Sequence, residues 1–512
     1  MSDPIFVKAF SKIFSRLDSL GVLRPKILIT RTVPISLFEK ITASIKEVCP
    51  EAKLVIITAN PIPGRIVEGS KKIFYPFGPY LELKNASPGW YEDNVVSECP
   101  DLALIPYPLN ILSGYANVRQ FVENCGAKYF LELGCGGNWS LKSRVEYIES
   151  INTDDSRIGS VLDCKPSYVT INITEHCNLR CVMCDIDDDG DYPHMPLEEF
   201  SSVSKQLLND CRILTLNGFV GEPLLHPNFT EIIQLLDEQY PHLSVGFATN
   251  ATAFSEKRIK TILNSRVIKD LRISLSSARK ETYEKVMVRA KYDDTLKKLK
   301  RFMDLRSRME NGSELVVTFS FVAMQQNIGE LPQFVRFAGE LGVDQVLVWD
   351  LQLSQESNLN YTLHKNNIDV STLLDEARSV ALEEGVNLVL PGRYGLDKDA
   401  TIESQISENT FRCLLPWSHV YVSPNGDVAP CCFFNKKMGN LLTDSSDEIW
   451  NNNSYQVLRN DIESGNYPMP CLSCPENRNF KPNHPQIVMH KNRKGGEVYI
   501  KMDNSKKSVG NA

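Results

Sequence analysis

Cys177, Cys181 and Cys184 stand at the spacing C-x3-C-x2-C, directly after the apolar run of residues 168 to 174. A short loop can turn all three thiols inward. Three thiolates hold three irons of a four-iron cluster and leave the fourth iron open to a substrate or cosubstrate. A zinc ion completed by His176, or three unrelated packed thiols, are the other readings of these residues. The place of the loop, after the first strand of a repeating strand-helix pattern, favours the cluster. Disulfides fit poorly, because fourteen cysteines in 512 residues without a secretion signal suggest metal ligands.

At roughly 150 residues per domain, 512 residues make two to four packed units. With 42% hydrophobic and 9% aromatic residues the chain can bury several cores. Its 56 basic and 63 acidic side chains leave a charge of −7, a field that gathers neither nucleic acid nor anionic lipid. No run approaches the ~20 apolar residues of a membrane span. Asp3, Lys8, Lys12, Arg16 and Asp18 interrupt the start where a signal peptide needs an apolar stretch. A cytoplasmic protein without nucleic-acid or membrane partners is expected.

Residues 1–150 alternate short apolar runs with helical patterns: 27–30, 54–58, 102–106 and 129–133 read as strands, 37–48 and 118–122 as helices. This is an α/β, Rossmann-like unit with a mostly parallel sheet. Ser150 to Asp163 is the expected linker. Residues 165–350 hold six strand candidates, at 168–174, 213–217, 244–248, 271–275, 315–322 and 345–350, separated by helical patterns. One helix opens at Pro196, and another runs from Leu331 to Leu341 and stops at Gly342. Six such units predict a partial (β/α)6 barrel, with its site at the C-terminal ends of the strands. Residues 351–410 read as a helical connection and 411–480 as a small Cys-rich unit held by metal rather than by a core. Residues 481–512, basic between Lys491 and Lys507, read as a flexible tail.

The thiol loop in this position resembles the radical S-adenosylmethionine (radical SAM) superfamily. Further matches follow in order. Gly221-Glu222-Pro223 after the second strand is similar to the family's glycine-rich segment, whose glutamate meets the amino group of S-adenosylmethionine. Val220 stands where the family usually has another glycine. Asn250 ends the third strand. Ser274 and Ser276 alternate onto one face of the fourth, where relatives place polar groups toward the cosubstrate.

Cys413, Cys431, Cys471 and Cys474 make a second group, which can close a complete four-iron cluster or an all-thiolate zinc site. They resemble the auxiliary-cluster domain that follows many radical SAM barrels. No cysteine follows Cys474, so the shortened, one-cluster form called twitch fits better than the longer SPASM form. Cys432 is an alternative ligand to Cys431. The other six cysteines, Cys49, Cys99, Cys125, Cys135, Cys164 and Cys211, read as small buried hydrophobes.

The resemblance implies an oxidoreductase with two four-iron clusters and S-adenosylmethionine as cofactors, and a reducing electron donor such as flavodoxin or ferredoxin. Reductive cleavage yields a 5′-deoxyadenosyl radical that abstracts hydrogen from a substrate carbon, and a fully ligated auxiliary cluster accepts an electron. Alcohol oxidation and peptide modification both fit. The absence of a winged-helix-like leader-binding module shifts the balance toward a small-molecule or sugar-linked substrate. The rivals are a zinc-stabilised scaffold and an electron carrier, which needs no open iron. Two lures fall away. Asp185 to Gly190 opens like a calcium loop, but Pro196 stands where its bidentate glutamate belongs. Leu131 to Gly137 is similar to a methyltransferase glycine motif, but too few strands follow it.

Overall fold

The computed structural model describes residues 2–501 other than 32, 34, 59–69, 75–87, 108–115, 135, 136, 138, 148–159, 163, 164, 185, 187–191, 219, 310–314, 352–359, 364–369, 391–412, 435, 469, 470, 472, 473, 475–486 and 492–496. Most of the expected linker, most of the calcium-like loop, Cys135 and Cys164 lie outside the described residues. Among the described residues no helix is long and apolar enough to cross a membrane.

The chain begins with helix α1 (Pro4–Ser19), which the strand-helix alternation does not reveal. Asp3 caps it by accepting from Ile5 N, and Phe6, Ala9, Phe10, Ile13 and Leu17 form its buried stripe. A six-stranded sheet follows, built from β1 (Lys26–Thr30), β2 (Lys53–Thr58), β3 (Lys71–Phe74), β4 (Leu102–Tyr107), β5 (Tyr129–Gly134) and β6 (Trp139–Ser143). Its order is β3-β2-β1-β4-β5-β6, parallel except for β6. That is the doubly wound order, with a switch point between β1 and β4. The near-continuous apolar runs of β1, β2 and β4 match burial on both faces, one against α1 and α2 (Ile35–Val48), the other against Tyr91, Val95 and Phe121. Gly134 ends β5, its carbonyl accepting from Gly137 N at 2.9 Å, and the antiparallel β6 pairs back onto β5.

The second sheet holds β7 (Tyr168–Ile171), β8 (Ile213–Thr215), β9 (Ser244–Thr249), β10 (Ile268–Ser274), β11 (Val316–Ala323) and β12 (Gln345–Asp350) as consecutive parallel neighbours. At one edge β13 (Asn387–Val389) pairs parallel with β12. At the other, β14 (His419–Val422) pairs parallel with β7, followed by antiparallel β15 (Asp427–Ala429) and β16 (Gly439–Asn440). The sheet is open among the described residues. The six expected strands are present, but residues 351–410 are more than a connection: they supply β13, whose three residues are too short for periodicity to reveal. The expected tail holds two further strands. Strands β17 (Ile487–Lys491) and β18 (Glu497–Lys501) pair antiparallel within it.

The two sheets meet at the N-terminal ends of the second sheet's strands. Val316, opening β11, is part of the α1/α2 core, and Ile213, opening β8, packs against it. Lys40 Nζ donates to His242 O at 3.3 Å, and Arg31 faces the charge of Asp270. The first 150 residues thus cover the end of the barrel opposite the thiol loop.

Candidate functional site

The thiol loop is pinned at both ends. Thr174 Oγ1 accepts from His176 N at 3.0 Å and stands 2.8 Å from His194 Nδ1, fixing the exit from β7. Arg180 Nη1 donates to the carbonyls of Cys177 and Leu179 at 2.9 and 2.8 Å. The backbone N–H groups of Arg180 and Val182 donate to Val288 O and Val286 O. Leu179 is buried beneath.

Cys177, Cys181 and Cys184 are each half-buried. Burial pushes the Cys177 thiol up to about 11, with Glu222 and Cys184 adding to it. Cys181 is driven higher by burial, then by Cys184 and Cys177. The three groups therefore lie within one another's field, and Cys177 and Cys181 do not ionise readily without a cation to hold them. An iron cluster supplies that charge, since a coordinating thiol is deprotonated outright. Among the described residues no three His, Cys, Asp or Glu side chains converge on one ion-sized site. Thiolates that each take a different iron of a cluster do not need to.

The Gly221-Glu222-Pro223 segment lies directly on this loop. Glu222 N donates to His176 O at 2.8 Å. Gly221 has φ of 110°, and a Cβ there would stand 2.0 Å from Thr174 O. Val220 is buried without a positive φ, so the missing second glycine is tolerated. Gly221→Ala is expected to cost about 1–3 kcal/mol in backbone strain alone and to weaken S-adenosylmethionine binding. Urea unfolding and a binding titration check it, and an unchanged midpoint would contradict the close approach.

Glu222 is 1% exposed, and its carboxylate is engaged by the protein. Oε1 accepts from Thr249 Oγ1 at 2.7 Å and from Leu224 N at 3.2 Å, and Oε2 accepts from Asn250 N at 2.7 Å. The carboxylate thereby ties the end of β9 to the segment. Burial nevertheless pushes its carboxyl up to about 7, outweighing these donors. A folded state that keeps the proton loses stability as pH rises from the unfolded value near 4.5 to about 7. In the cluster-free chain, urea unfolding of wild type and Glu222→Gln should diverge over that interval by on the order of 3 kcal/mol. Parallel pH profiles would refute the assignment.

Asn250 meets the thiol loop itself: Nδ2 donates to Asn178 Oδ1 at 3.2 Å and lies 3.7 Å from Cys177 Sγ. Ser274 ends β10, half-buried. Ser276 lies beyond the strand with φ of 55°, its Oγ accepting from Val322 N, so the expected alternation of the two serines stops at Ser274. Sequence reasoning missed three side chains here. Asn172 Oδ1 accepts from Gly218 N, Asn172 Nδ2 donates to Tyr421 Oη, and Asn217 Oδ1 accepts from Ala248 N. The signal was the polar alternation Tyr168, Thr170, Asn172, Thr174 just before the cysteines.

The C-terminal cysteines gather beside β14 and β15. His419 is buried, bonded to Thr170 Oγ1 and Pro430 O, and burial lowers its pKa to about 4. It fastens the turn that carries Cys431 to β7. Burial raises the Cys431 thiol, with further push from Cys432, Cys413 and Cys474. Cys471 rises to about 12 by burial, then by Cys413 and Cys474. The four expected ligands are thus brought together, half-buried, while Cys432 is exposed. Of the remaining cysteines, Cys125 and Cys211 are buried, but Cys49 is half-buried and Cys99 exposed. Cys99 follows a short 3-10 turn with φ of 45°, which turns it outward.

The radical SAM superfamily model matches residues 171–338, and the iron-sulfur cluster-binding domain model, SPASM, matches residues 413–475. The tungsten-containing aldehyde ferredoxin oxidoreductase cofactor-modifying protein of Pyrococcus furiosus is 25% identical over 336 residues, 60% of this chain and 86% of the relative. The antilisterial bacteriocin subtilosin biosynthesis protein AlbA of Bacillus subtilis is 21% identical over 291 residues, 56% of this chain and 60% of the relative, which is less than two thirds of its length. SuiB of Streptococcus suis, solved bound to the precursor peptide SuiA, is 15% identical with a TM-score of 0.44, covering 62% of this chain and 72% of that one. The two domain models fall in order on the two thiol groups, which removes the ground for a zinc scaffold. The chain is a radical SAM iron-sulfur enzyme of the SPASM subgroup, with a four-iron cluster, an auxiliary cluster and S-adenosylmethionine as its cofactors.

Proposed function

We propose that the enzyme oxidises a small-molecule or sugar-linked substrate, and that the two thiol groups divide the work. Cys177, Cys181 and Cys184 hold the cluster with the open iron. Cys413, Cys431, Cys471 and Cys474 hold the auxiliary one. When bound, the first cluster and S-adenosylmethionine supply a 5′-deoxyadenosyl radical able to take hydrogen from an unactivated carbon. The chain's own residues bind, orient and shield. Gly221 lets the backbone approach the loop, Glu222 and Thr249 set the end of β9, and Asn250 and Ser274 offer polar groups to the cosubstrate at the strand ends. Leu179 and Val220 keep water from beneath the loop.

One observation carries the oxidative reading: four cysteines from distant parts of the sequence are gathered beside β14, next to the barrel strand that leads to the thiol loop. Four protein ligands leave no open iron, and such a cluster is suited to accept an electron from substrate. The reductant for the first cluster is then an external carrier of the flavodoxin or ferredoxin kind. A small substrate is supported by the N-terminal sheet, which packs at the far end of the barrel rather than over the site. The relatives are named for a cofactor and for a bacteriocin, so both sizes of substrate belong in a screen.

The test is anaerobic reconstitution with iron and sulfide, then S-adenosylmethionine and dithionite. About eight irons per chain and 5′-deoxyadenosine are expected. Zinc in both sites without 5′-deoxyadenosine would overturn the proposal.

A further inference from the structure

In β7 to β12, alternate residues enter the helix-covered core: Ile171, Leu214, Phe247, Ile273, Phe319 and Val348 are all buried there. The residues between them face the opposite way, into the concave side of the sheet. Thr170, Asn172, Thr215, Ser274 and Ser320 make that face polar. A polar inner wall suits a hydrophilic substrate.

Arg272 belongs to this wall, in register with Ala248 on β9 and Thr318 on β11. It is half-buried, and among the described residues its guanidinium has no hydrogen bond or ion pair. Its neighbours on the wall are otherwise occupied: Asp270, two residues below, faces Arg31, and Asn172 is bonded to Gly218 and Tyr421. A partly desolvated guanidinium without an acceptor is costly to keep, and its planar fork matches a carboxylate or a phosphate. Arg272 lies two residues before Ser274, which ends β10. Arg272 therefore stands on the inner wall, below the strand ends.

We propose that Arg272 anchors an anionic group of the substrate, a carboxylate or a phosphate, inside the barrel below the strand ends. This rests on the oxidative reading above and narrows its substrate class to anions. The cation holds one end of the molecule, and the carbon to be oxidised lies toward the strand ends.

The experiment uses the reconstituted holoenzyme and two probes, inorganic phosphate and glutarate, titrated calorimetrically into wild type, Arg272→Gln and Arg272→Lys. At least one probe should bind wild type, about tenfold more weakly in R272Q, with R272K between. S-adenosylmethionine, titrated separately, should bind wild type and R272Q within about threefold. Failure of wild type to bind either probe, or equal binding by R272Q, would overturn the proposal. So would a large loss of S-adenosylmethionine affinity in R272Q with phosphate binding unchanged, which would make the methionine carboxylate the anion held. R272K keeps the test open if R272Q does not fold. Formation of 5′-deoxyadenosine by wild type is read independently: cleavage without anion binding defeats this inference and leaves the proposed function standing, whereas no cleavage defeats the latter.

Discussion

Replacing Cys177, Cys181 and Cys184 together by alanine should lower bound iron by about four per chain and abolish formation of 5′-deoxyadenosine. The size of the effect follows from the loop. Its backbone is held by Arg180, Val286 and Val288, none of which depends on the thiols, so the loop should keep its path when they are removed. The thiols themselves are half-buried and in one another's field. Cys177 and Cys181 stay protonated in the cluster-free chain, so removing the thiols costs no charge interaction there and the variant should fold about as well as the unreconstituted wild type. Loss of activity with retained folding separates a ligand role from a structural one. Iron analysis, urea unfolding and product quantification on one preparation suffice. Retained cleavage in the triple variant would end the assignment.

The sequence carried the site better than it carried the architecture around it. The thiol loop and Gly221-Glu222-Pro223 are local motifs, and local spacing is visible without knowing the fold. The four C-terminal cysteines were also legible, because their residue type is rare and their gathering needs only one packed unit. Three things stayed hidden, each for a physical reason. Strand β13 is three residues long and becomes a strand only because β12 offers an open edge. The placement of the first 150 residues depends on Val316 and Ile213, two apolar positions indistinguishable in sequence from any strand start. Arg272 lies between apolar neighbours that mark it as one residue of an ordinary strand, and only the pairing of β10 with β9 and β11 shows what its face of the sheet looks onto. Helix α1, in contrast, could have been read: Asp3-Pro4 is a start signal, and the spacing of Phe6, Phe10, Ile13 and Leu17 is helical.

Cys413→Ala with Cys471→Ala should remove the other four irons while leaving the first cluster in place. The two groups are built on different supports. The first hangs on the exit from β7 and the turn at Val286–Val288. The second hangs on the β14–β15 hairpin, where Gly426 takes φ of 79°, and on His419, which fastens that hairpin to Thr170. Loss of one should therefore leave the other's iron unchanged. Cys432 sharpens the test, since it is exposed beside Cys431 and within the field of Cys474. If Cys432 were the true ligand in place of Cys431, Cys431→Ala would keep all eight irons and Cys432→Ala would lose about four; the burial of Cys431 among Cys413 and Cys474 predicts the reverse. In the double variant 5′-deoxyadenosine should still form, because its formation needs only the open iron. Oxidised product should not, because the substrate radical then has no acceptor. Product formed at the wild-type rate without the second cluster would show that the auxiliary cysteines serve the fold alone.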